Sequence, residues 1–504
     1  MENNYTGTLE YKGIEFFFIF DGAQLSLIPP KEKRNEIKWH WIYTEIESGV
    51  YTLGNPLTID VPFLKGQCAE SGCSMVFLTR FGSFINYRNT TLYIDVAGVI
   101  ECRTSNSKYS RMSLTNTELN YIHPINRAFS QEFNLDDLKN SGVLAIKTCG
   151  FDKTTTEKKQ FNFKEKVVTV YFSIGWKSSL NIGTPPILFN SSIIFEFQET
   201  NDYWYLFELY QLAKKFIQFL TFRKNCYFKE SALQVKYDNN HYQDAAIFHL
   251  INTKPLEIDV SLEKGRYISL DRLESKEEML FSLISEDSLY LNHLPKSFEA
   301  EESLDAAVFV LTSAAFEWEF GKLYPDGVVK EDKKLKAKEK ALEEMNKLIS
   351  NTTGKVKKIL KNCYKSIGFM NLETKIIRAG TDFNSIVEQF GRRLYDLNNE
   401  KFDYKTIGNR LANQRNGFAH GNIDKEFVGA SILDLIFLRY LIYAMQLKRI
   451  GISNLSIKNA INELFDTNLD FQNEVYTEKV VEQKAIKKES IKEKLPIIFV
   501  LGSS

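Results

Sequence analysis

The sequence predicts an α+β protein, with a β-rich, sandwich-like region over residues 1–200 and an all-α helical bundle after it. In the first region Leu92, Ile94 and Val96 alternate with more polar residues, which is the period of half-buried strands. From Tyr203 onward the apolar residues recur every three or four positions, which is the period of an amphipathic helix. Strands followed by helices, rather than alternating with them, are typical of α+β folds.

The β-rich region opens on a short apolar run at residues 14–20, and turn signals rich in glycine and proline follow at residues 53–56 and 183–186. The abundance of aromatic residues, 38 Phe and 24 Tyr in 504 residues, also favours sheet. Residues 38–41 contain two tryptophans. They are interpreted either as an exposed binding surface or, more simply, as strand residues that pack in a core.

Helical signals begin with a connector over residues 201–265, which mixes one helix after Tyr203 with short sheet-like stretches. The domain boundary is placed near residues 254–265, and residues 266–450 are predicted to form a helical domain. Its clearest helix spans residues 304–323, with acidic residues before it and a Pro-Asp-Gly sequence after it.

A broad apolar stripe over residues 428–445 predicts a second strong helix. Asp434 and Arg439 interrupt the stripe, which is also too short to span a bilayer, so a core helix is expected. Residues 451–504 are predicted to form a mixed-charge tail.

Composition excludes several classes of function. The formal net charge is zero, so the whole protein does not attract nucleic acid and any RNA contact requires a local patch. No secretory signal is visible, and we expect a cytoplasmic protein without a membrane segment, whose six cysteines stay reduced. Cys68 and Cys73 have the spacing of half a zinc site, but no second ligand pair follows at matching spacing. No metal or cofactor is predicted. The sequence also contains no P-loop, no dinucleotide-binding glycine pattern and no His-Glu-x-x-His metalloprotease motif.

The stretch with the most chemistry is Arg415-Asn416-Gly417-Phe418-Ala419-His420-Gly421. An arginine holds a phosphate with paired hydrogen bonds, a histidine moves a proton near neutral pH, and an amide can orient either. On a regular helix Arg415 and His420 would lie about 140° apart. Gly417 is therefore expected to bend or break the helix and let them converge. The alternative is an ordinary helix C-terminus, with both residues in the last turn and Gly421 after it.

Glu317 is the candidate carboxylate of this site. On the helix at residues 304–323 it shares a largely apolar face with Phe320, whereas Glu319 is predicted to be more exposed. A carboxylate on an apolar face needs a partner, because its burial unpaired costs several kcal/mol or forces protonation. Arg415 or His420 could be that partner, and so could another Arg or Lys.

A lysine-rich segment over residues 322–365 has thirteen lysines against six acidic residues. It is interpreted either as a solvated helix face or as a patch that binds RNA phosphates. The candidate substrate-binding cations are Lys333, Lys334, Lys336, Lys338, Arg392 and Arg393.

Metal-independent RNA cleavage fits the residues present. Its nucleophile is the 2′-hydroxyl of the substrate, so the protein needs only a proton-transfer group and a cation that stabilises the phosphorane. The rival hypotheses are a non-catalytic nucleotide-binding or dimerisation scaffold, and a carbohydrate-binding module with a helical adaptor.

The Arg-Asn-x-x-Ala-His pattern resembles the signature of the HEPN ribonuclease superfamily. Residues 292–296 (NHLPK) and 314–320 (AAFEWEF) resemble in particular the HEPN domain of ApeA-type bacterial anti-phage proteins, and the similarity covers about residues 275–450. The resemblance implies that His420 is the acid/base, that Arg415 binds the scissile phosphate, and that Asn416 orients them. It also implies a homodimer, or an assembly of dimers, that cuts tRNA or other cellular RNA in abortive infection after a phage-derived trigger.

Overall fold

The computed structural model forms two compact units. The first comprises Met1–Glu263 and Glu277–Ser288, and the second comprises Lys264–Lys276 and Leu289–Ser504. The chain thus leaves the first unit within the stretch where the sequence places the boundary, and then returns to it for one helix. The structure describes residues 4–53, 56–105, 108–132, 145–181, 183, 185, 187–238, 241–250, 262, 264–325, 332–368, 371–419 and 429–471.

The first unit is rich in antiparallel strands. In chain order, strands β1 to β17 are Tyr5–Tyr11, Ile14–Phe20, Gln24–Ile28, Tyr43–Glu47, Val50–Leu53, Phe63–Cys68, Ser74–Thr79, Asn86–Arg88, Thr91–Cys102, Tyr109–Thr115, Phe129–Glu132, Ala145–Thr148, Lys159–Phe163, Lys166–Ser178, Ile187–Thr200, Glu230–Lys236 and Tyr242–Leu250. The predicted apolar run at residues 14–20 is β2, and the alternating residues 92–96 lie in β9, so both strand predictions are confirmed.

Six of these strands close into a barrel, and the sandwich-like arrangement predicted from the sequence is wrong in this respect. β9, β3, β2, β1, β6 and β7 are successive neighbours, and β7 pairs with β9 again. Phe16, Phe18 and Phe20 are the fully buried positions of β2, and the Phe18 ring centroid lies 5.1 Å from that of Phe77. A barrel and a sandwich both alternate buried with exposed residues, so the sequence period cannot distinguish them.

Beyond β9 the sheet continues through β17, β16, β10, β15, β14 and β13. The longer α-helices of this unit, α1 to α3, are Thr117–Ile122, Tyr203–Thr221 and Glu277–Ser285. Short helical segments lie at Arg34–Glu36 and Phe151–Thr154, and Ile37–Ile42 is a π-helix. α2 confirms the helix predicted after Tyr203, and its Phe216 stacks on Phe281 of α3 with ring centroids 4.3 Å apart. Phe281 also stacks on Phe161 of β13 at 5.3 Å, and this aromatic contact holds α3 to the first unit.

The second unit is helical. Its helices α4 to α11 are Ala306–Leu323, Asp332–Ser350, Gly354–Gly368, Leu372–Asp382, Asn384–Asp396, Tyr404–Ala419, Ala430–Ile450 and Asn454–Leu464. α4 confirms the helix predicted at residues 304–323, and its N-terminus is capped by the Asp305 carboxylate, which accepts the Val308 N–H at 2.8 Å. The α+β class is therefore confirmed.

α10 is the central helix of the second unit and corresponds to the predicted apolar stripe. Among the described helices, it alone is long and apolar enough to cross a membrane, with a mean hydropathy of 1.4. However, 78% of that segment is buried by the rest of the protein, as expected of a core helix. α11 begins the predicted C-terminal tail, and residues 472–504 lie outside the described residues.

Candidate functional site

Helices α4, α7 and α9 of the second unit carry the candidate site, and two glycines let α9 approach α7 closely. A Cβ atom on Gly380 of α7 would lie 2.5 Å from the ring of Tyr404, which begins α9. A Cβ atom on Gly408 of α9 would lie 3.0 Å from the Cα atom of Glu373. Larger residues would push the helices apart, so these glycines fix the distance between side chains on α7 and α9.

One face of α9 directs Arg415 toward the other two helices. Gly408, Leu411, Arg415 and Phe418 follow each other at intervals of three and four, and so share that face. Leu411 is buried, and the Phe418 ring packs edge-on against Phe309 of α4 with centroids 5.4 Å apart. Arg415 therefore lies between two packing contacts that hold its helix in place.

A carboxylate between two cations forms the core of the candidate site. Glu317 of α4 accepts Nη2 of Arg415 at 2.6 Å with Oε2, and Nζ of Lys375 from α7 at 2.8 Å with Oε1. The side chains of Glu317 and Lys375 are 21% and 18% exposed, whereas that of Arg415 is 43% exposed. The cluster thus has one net positive charge, and Arg415 is its most accessible member.

Of the partners that the sequence left open for Glu317, the structure shows two, Arg415 and another basic residue, Lys375. Glu317 lies at the border of α4 between a buried face, with Ser313 and Phe320, and an exposed face, with Val310. A carboxylate at such a border can meet partners from neighbouring helices and still contact solvent. The burial that the sequence suggested is therefore only partial, and two cations offset its desolvation.

The prediction that Glu319 is the more exposed carboxylate is wrong. Glu319 is fully buried and accepts the backbone N–H of Tyr290 at 3.0 Å, Nε2 of Gln446 at 3.0 Å, and Nη1 of Arg449. The reason is tertiary. α10 packs along the face of α4 that contains Thr312, and it brings a cation to the carboxylate there.

A second buried network fixes α9 against α8 and α10. Arg410 of α9 donates to both carboxylate oxygens of Asp434, from Nε at 2.7 Å and from Nη2 at 2.6 Å, and the Tyr395 hydroxyl donates to the same carboxylate. Burial raises the pKa of the Tyr395 phenol, and the adjacent Asp434 raises it further, so this hydroxyl remains a donor. The bidentate pair thus holds the helix that carries Arg415.

The expected break at Gly417 is also wrong, because α9 runs through it as a helix to Ala419 and Gly417 is buried. α9 is described as far as Ala419, so the helix C-terminus that the alternative interpretation places before Gly421 lies outside the described residues. Asn416 is exposed, and within the described residues no hydrogen bond joins it to Arg415 or Glu317. The predicted acid/base, His420, lies outside the described residues, so its distance from Arg415 stays a prediction.

Within the described residues, no contact joins Arg392 or Arg393, two of the other predicted substrate-binding cations, to the cluster of Glu317, Lys375 and Arg415. Arg392 and Arg393 lie on α8, where Arg392 donates from Nε and Nη2 to Oε1 of Glu388 one turn earlier. The backbone of α5 contains four of the predicted lysines, but their side chains lie outside the described residues. These lysines are Lys333, Lys334, Lys336 and Lys338.

Lys375 is the member of the cluster that sequence analysis missed. It lies one position before the buried Ile376 in an amphipathic helix that begins after its N-cap residue, Asn371. A lysine beside an apolar stripe is an ordinary feature of such helices. The sequence has no pattern that links this residue to Arg415, forty positions away, and only the packing of α7 on α9 shows the link.

The first unit has two features that could bind a ligand. The Trp39 and Tyr51 rings are partly exposed with centroids 4.8 Å apart, whereas Trp41 packs against Tyr11. Both tryptophans lie in the π-helix Ile37–Ile42, so the interpretation of residues 38–41 as strand residues is wrong. A shallow cavity of about 630 Å³ lies on the outer face of the barrel beside Lys65. Within the described residues, no group of three or more His, Cys, Asp or Glu side chains could hold a metal ion.

Comparisons with known proteins place no further constraint on the site, since no family model, no curated protein and no solved structure matches this chain.

Proposed function

We propose that this protein is a metal-independent endoribonuclease of the HEPN type. The observation that carries the proposal is the ion pair between Glu317 and Arg415. Arg415 belongs to the Arg-x4-His pattern, and Glu317 belongs to the AAFEWEF segment, so the pair joins the two stretches that resemble the family. Residues far apart in the sequence and singled out for the same resemblance thus meet in one cluster.

In the proposed reaction Arg415 binds the scissile phosphate and stabilises the charge that develops on its oxygens. A guanidinium has five N–H donors in a planar fork, and the bond with Glu317 occupies one nitrogen, so donors remain for a phosphate. His420 exchanges protons with the attacking 2′-hydroxyl or the leaving 5′-oxygen. Asn416, exposed beside Arg415, would contact the substrate or His420 rather than the Glu317 carboxylate.

We propose RNA as the partner, with tRNA as one candidate substrate. The proposed role is anti-phage defence in the cytoplasm, in which the β-rich unit senses a trigger or restrains cleavage. Basic residues of α5 and of α6, where Lys357, Lys358 and Lys361 have no acidic neighbour in the helix, supply positive charge for phosphate contacts. Such contacts are independent of sequence, so they would position RNA without selecting it.

Cleavage of RNA without a metal ion distinguishes the ribonuclease from a non-catalytic scaffold. We expect purified protein to cut RNA in the presence of EDTA and to produce new 5′-hydroxyl ends, because the nucleophile belongs to the substrate. End-specific labelling of the products, compared with the Arg415→Ala protein, measures this. RNA that is bound but never cut would favour the scaffold, and cutting that requires added Mg²⁺ would contradict the proposed chemistry.

The active form is proposed to be a homodimer with a shared site. Each protomer has one Arg-x4-His pattern, whereas attack by a 2′-hydroxyl benefits from a base at one oxygen and an acid at another. Exposed apolar residues of α4, namely Val310, Leu311 and Trp318, lie on the face next to Glu317. A two-fold axis through this face would bring two copies of the site together.

Subunit mixing tests the shared site. When His420→Ala protein is added in excess to wild-type protein, the activity per wild-type chain should fall as mixed dimers form. Exchange is verified by isolating dimers through a tag on one subunit type. Unchanged activity after confirmed exchange would show that each protomer cuts alone.

A further inference from the structure

We infer that Lys375 is a second phosphate-binding residue of the candidate site, and that the phosphate held by Arg415 is held by both cations. This inference rests on the proposed ribonuclease function and names a residue that neither the sequence pattern nor the family resemblance assigns. Its basis is the position of the ammonium group in the three-helix cluster.

The first argument is geometric. The Lys375 ammonium lies 2.8 Å from one oxygen of Glu317, and the Arg415 guanidinium lies 2.6 Å from the other. Because both nitrogens are within hydrogen-bond distance of one carboxylate, they are at most about 8 Å apart. The oxygens of one phosphate can bridge that distance, and both cations are within reach of the same anion.

The second argument is electrostatic. One carboxylate cannot neutralise two cations, so the cluster of Glu317, Lys375 and Arg415 attracts a further negative charge. An ammonium has three N–H donors, and its bond with Glu317 accounts for one of them. Lys375 is also in the first turn of α7, where the helix dipole adds positive potential at the same place.

The third argument concerns rigidity. Glu317 holds both cations, and the glycine contacts between α7 and α9 fix the distance between the helices that carry them. A phosphate therefore meets donors that are already oriented, and less conformational entropy is lost on binding than with free surface lysines. This feature distinguishes Lys375 from exposed lysines of α6 such as Lys358 and Lys361.

The test is the binding of a fully 2′-O-methylated RNA, which has no nucleophile and cannot be cut, at several salt concentrations. In Lys375→Gln we expect Kd to rise about tenfold at low salt and the salt-dependence slope to fall by about one, as for the loss of one phosphate contact. Lys375→Arg should restore the slope. The control is Lys405→Gln, an exposed lysine near the start of α9, which should match wild type.

The outcomes separate this inference from the proposed function. Wild-type affinity and slope in a folded Lys375→Gln protein would overturn the inference and leave Lys375 as a structural partner of Glu317. Tighter binding by wild type than by Lys375→Gln, with no cutting of unmodified RNA by either, would support the phosphate site and overturn the ribonuclease. Folding of the variant is checked by its melting temperature, and Glu317 retains Arg415 as a partner in it. If this variant melts early, the double variant Glu317→Gln/Lys375→Gln, compared with Glu317→Gln alone, gives the same readout.

Discussion

Replacement of Arg415 by alanine is expected to lower the rate of RNA cleavage by about 10²–10³-fold, the usual cost of one lost donor to a developing oxyanion. His420→Ala is expected to lower it by about 10²–10⁴-fold, the usual contribution of a general acid or base. Both effects should appear in the cleavage rate constant, measured under single-turnover conditions with the protein in excess of the RNA and above its Kd. The melting temperature of Arg415→Ala should change little, because the Arg415 side chain is partly solvated and Glu317 keeps Lys375.

Two further variants make this result specific. Arg415→Lys keeps the charge but loses the planar fork, so it should recover only a small part of the activity. Arg378→Ala removes a partly exposed arginine of α7 that pairs with Asp382, and it should cut at the wild-type rate. A wild-type rate in His420→Ala would remove the catalytic assignment, and loss of folding in both alanine variants would favour the helix-end interpretation of the motif.

Glu319→Gln is expected to lower the free energy of unfolding by about 3 kcal/mol, because it removes the negative charge from an ion pair with Arg449 in which both side chains are almost fully buried. The oxygen of the new side-chain amide would still accept hydrogen bonds from Gln446 and from the Tyr290 N–H. The expected loss of stability is therefore at the lower end of the range for broken buried ion pairs. Urea unfolding followed by far-UV circular dichroism measures the change in the helical unit.

Glu317→Gln is the matched control, since the same chemical change is made two residues away on the same helix. Glu317 and both of its partners contact solvent, so its replacement should cost less than about 1 kcal/mol of stability. Its cost should appear instead in cleavage, because Arg415 and Lys375 lose their common anchor. Equal stability losses in the two variants would contradict the division between a supporting carboxylate and a structural one.

Much of this architecture could be predicted from the sequence because it depends on local periodicity. β9 and α2 appear where their apolar residues repeat with a period of two or about 3.6, and β2 and α10 appear where the sequence has an apolar run or a broad apolar stripe. α4 appears between the N-terminal and C-terminal signals that predicted it. Whether the strands form a sandwich or a barrel depends instead on which strand edges pair, and β7 with β9 is a long-range contact. The period of a strand is the same in both cases, so it contains no information about closure.

The candidate site divides in the same way. Arg415, Asn416 and His420 are recognised together because they are close in the sequence, and Glu317 is recognised because a carboxylate on an apolar helix face requires a partner. The sequence by itself thus indicated the proposed chemistry and two of the three helices involved, α4 and α9. Only the tertiary structure decided that Lys375 joins Arg415 on Glu317 and that Glu319 is the buried carboxylate. The physical reason is that the helical period of a sequence shows only which face of a helix is apolar. The cation that pairs with a carboxylate on that face comes from another helix, and which cation it is depends on how the helices pack.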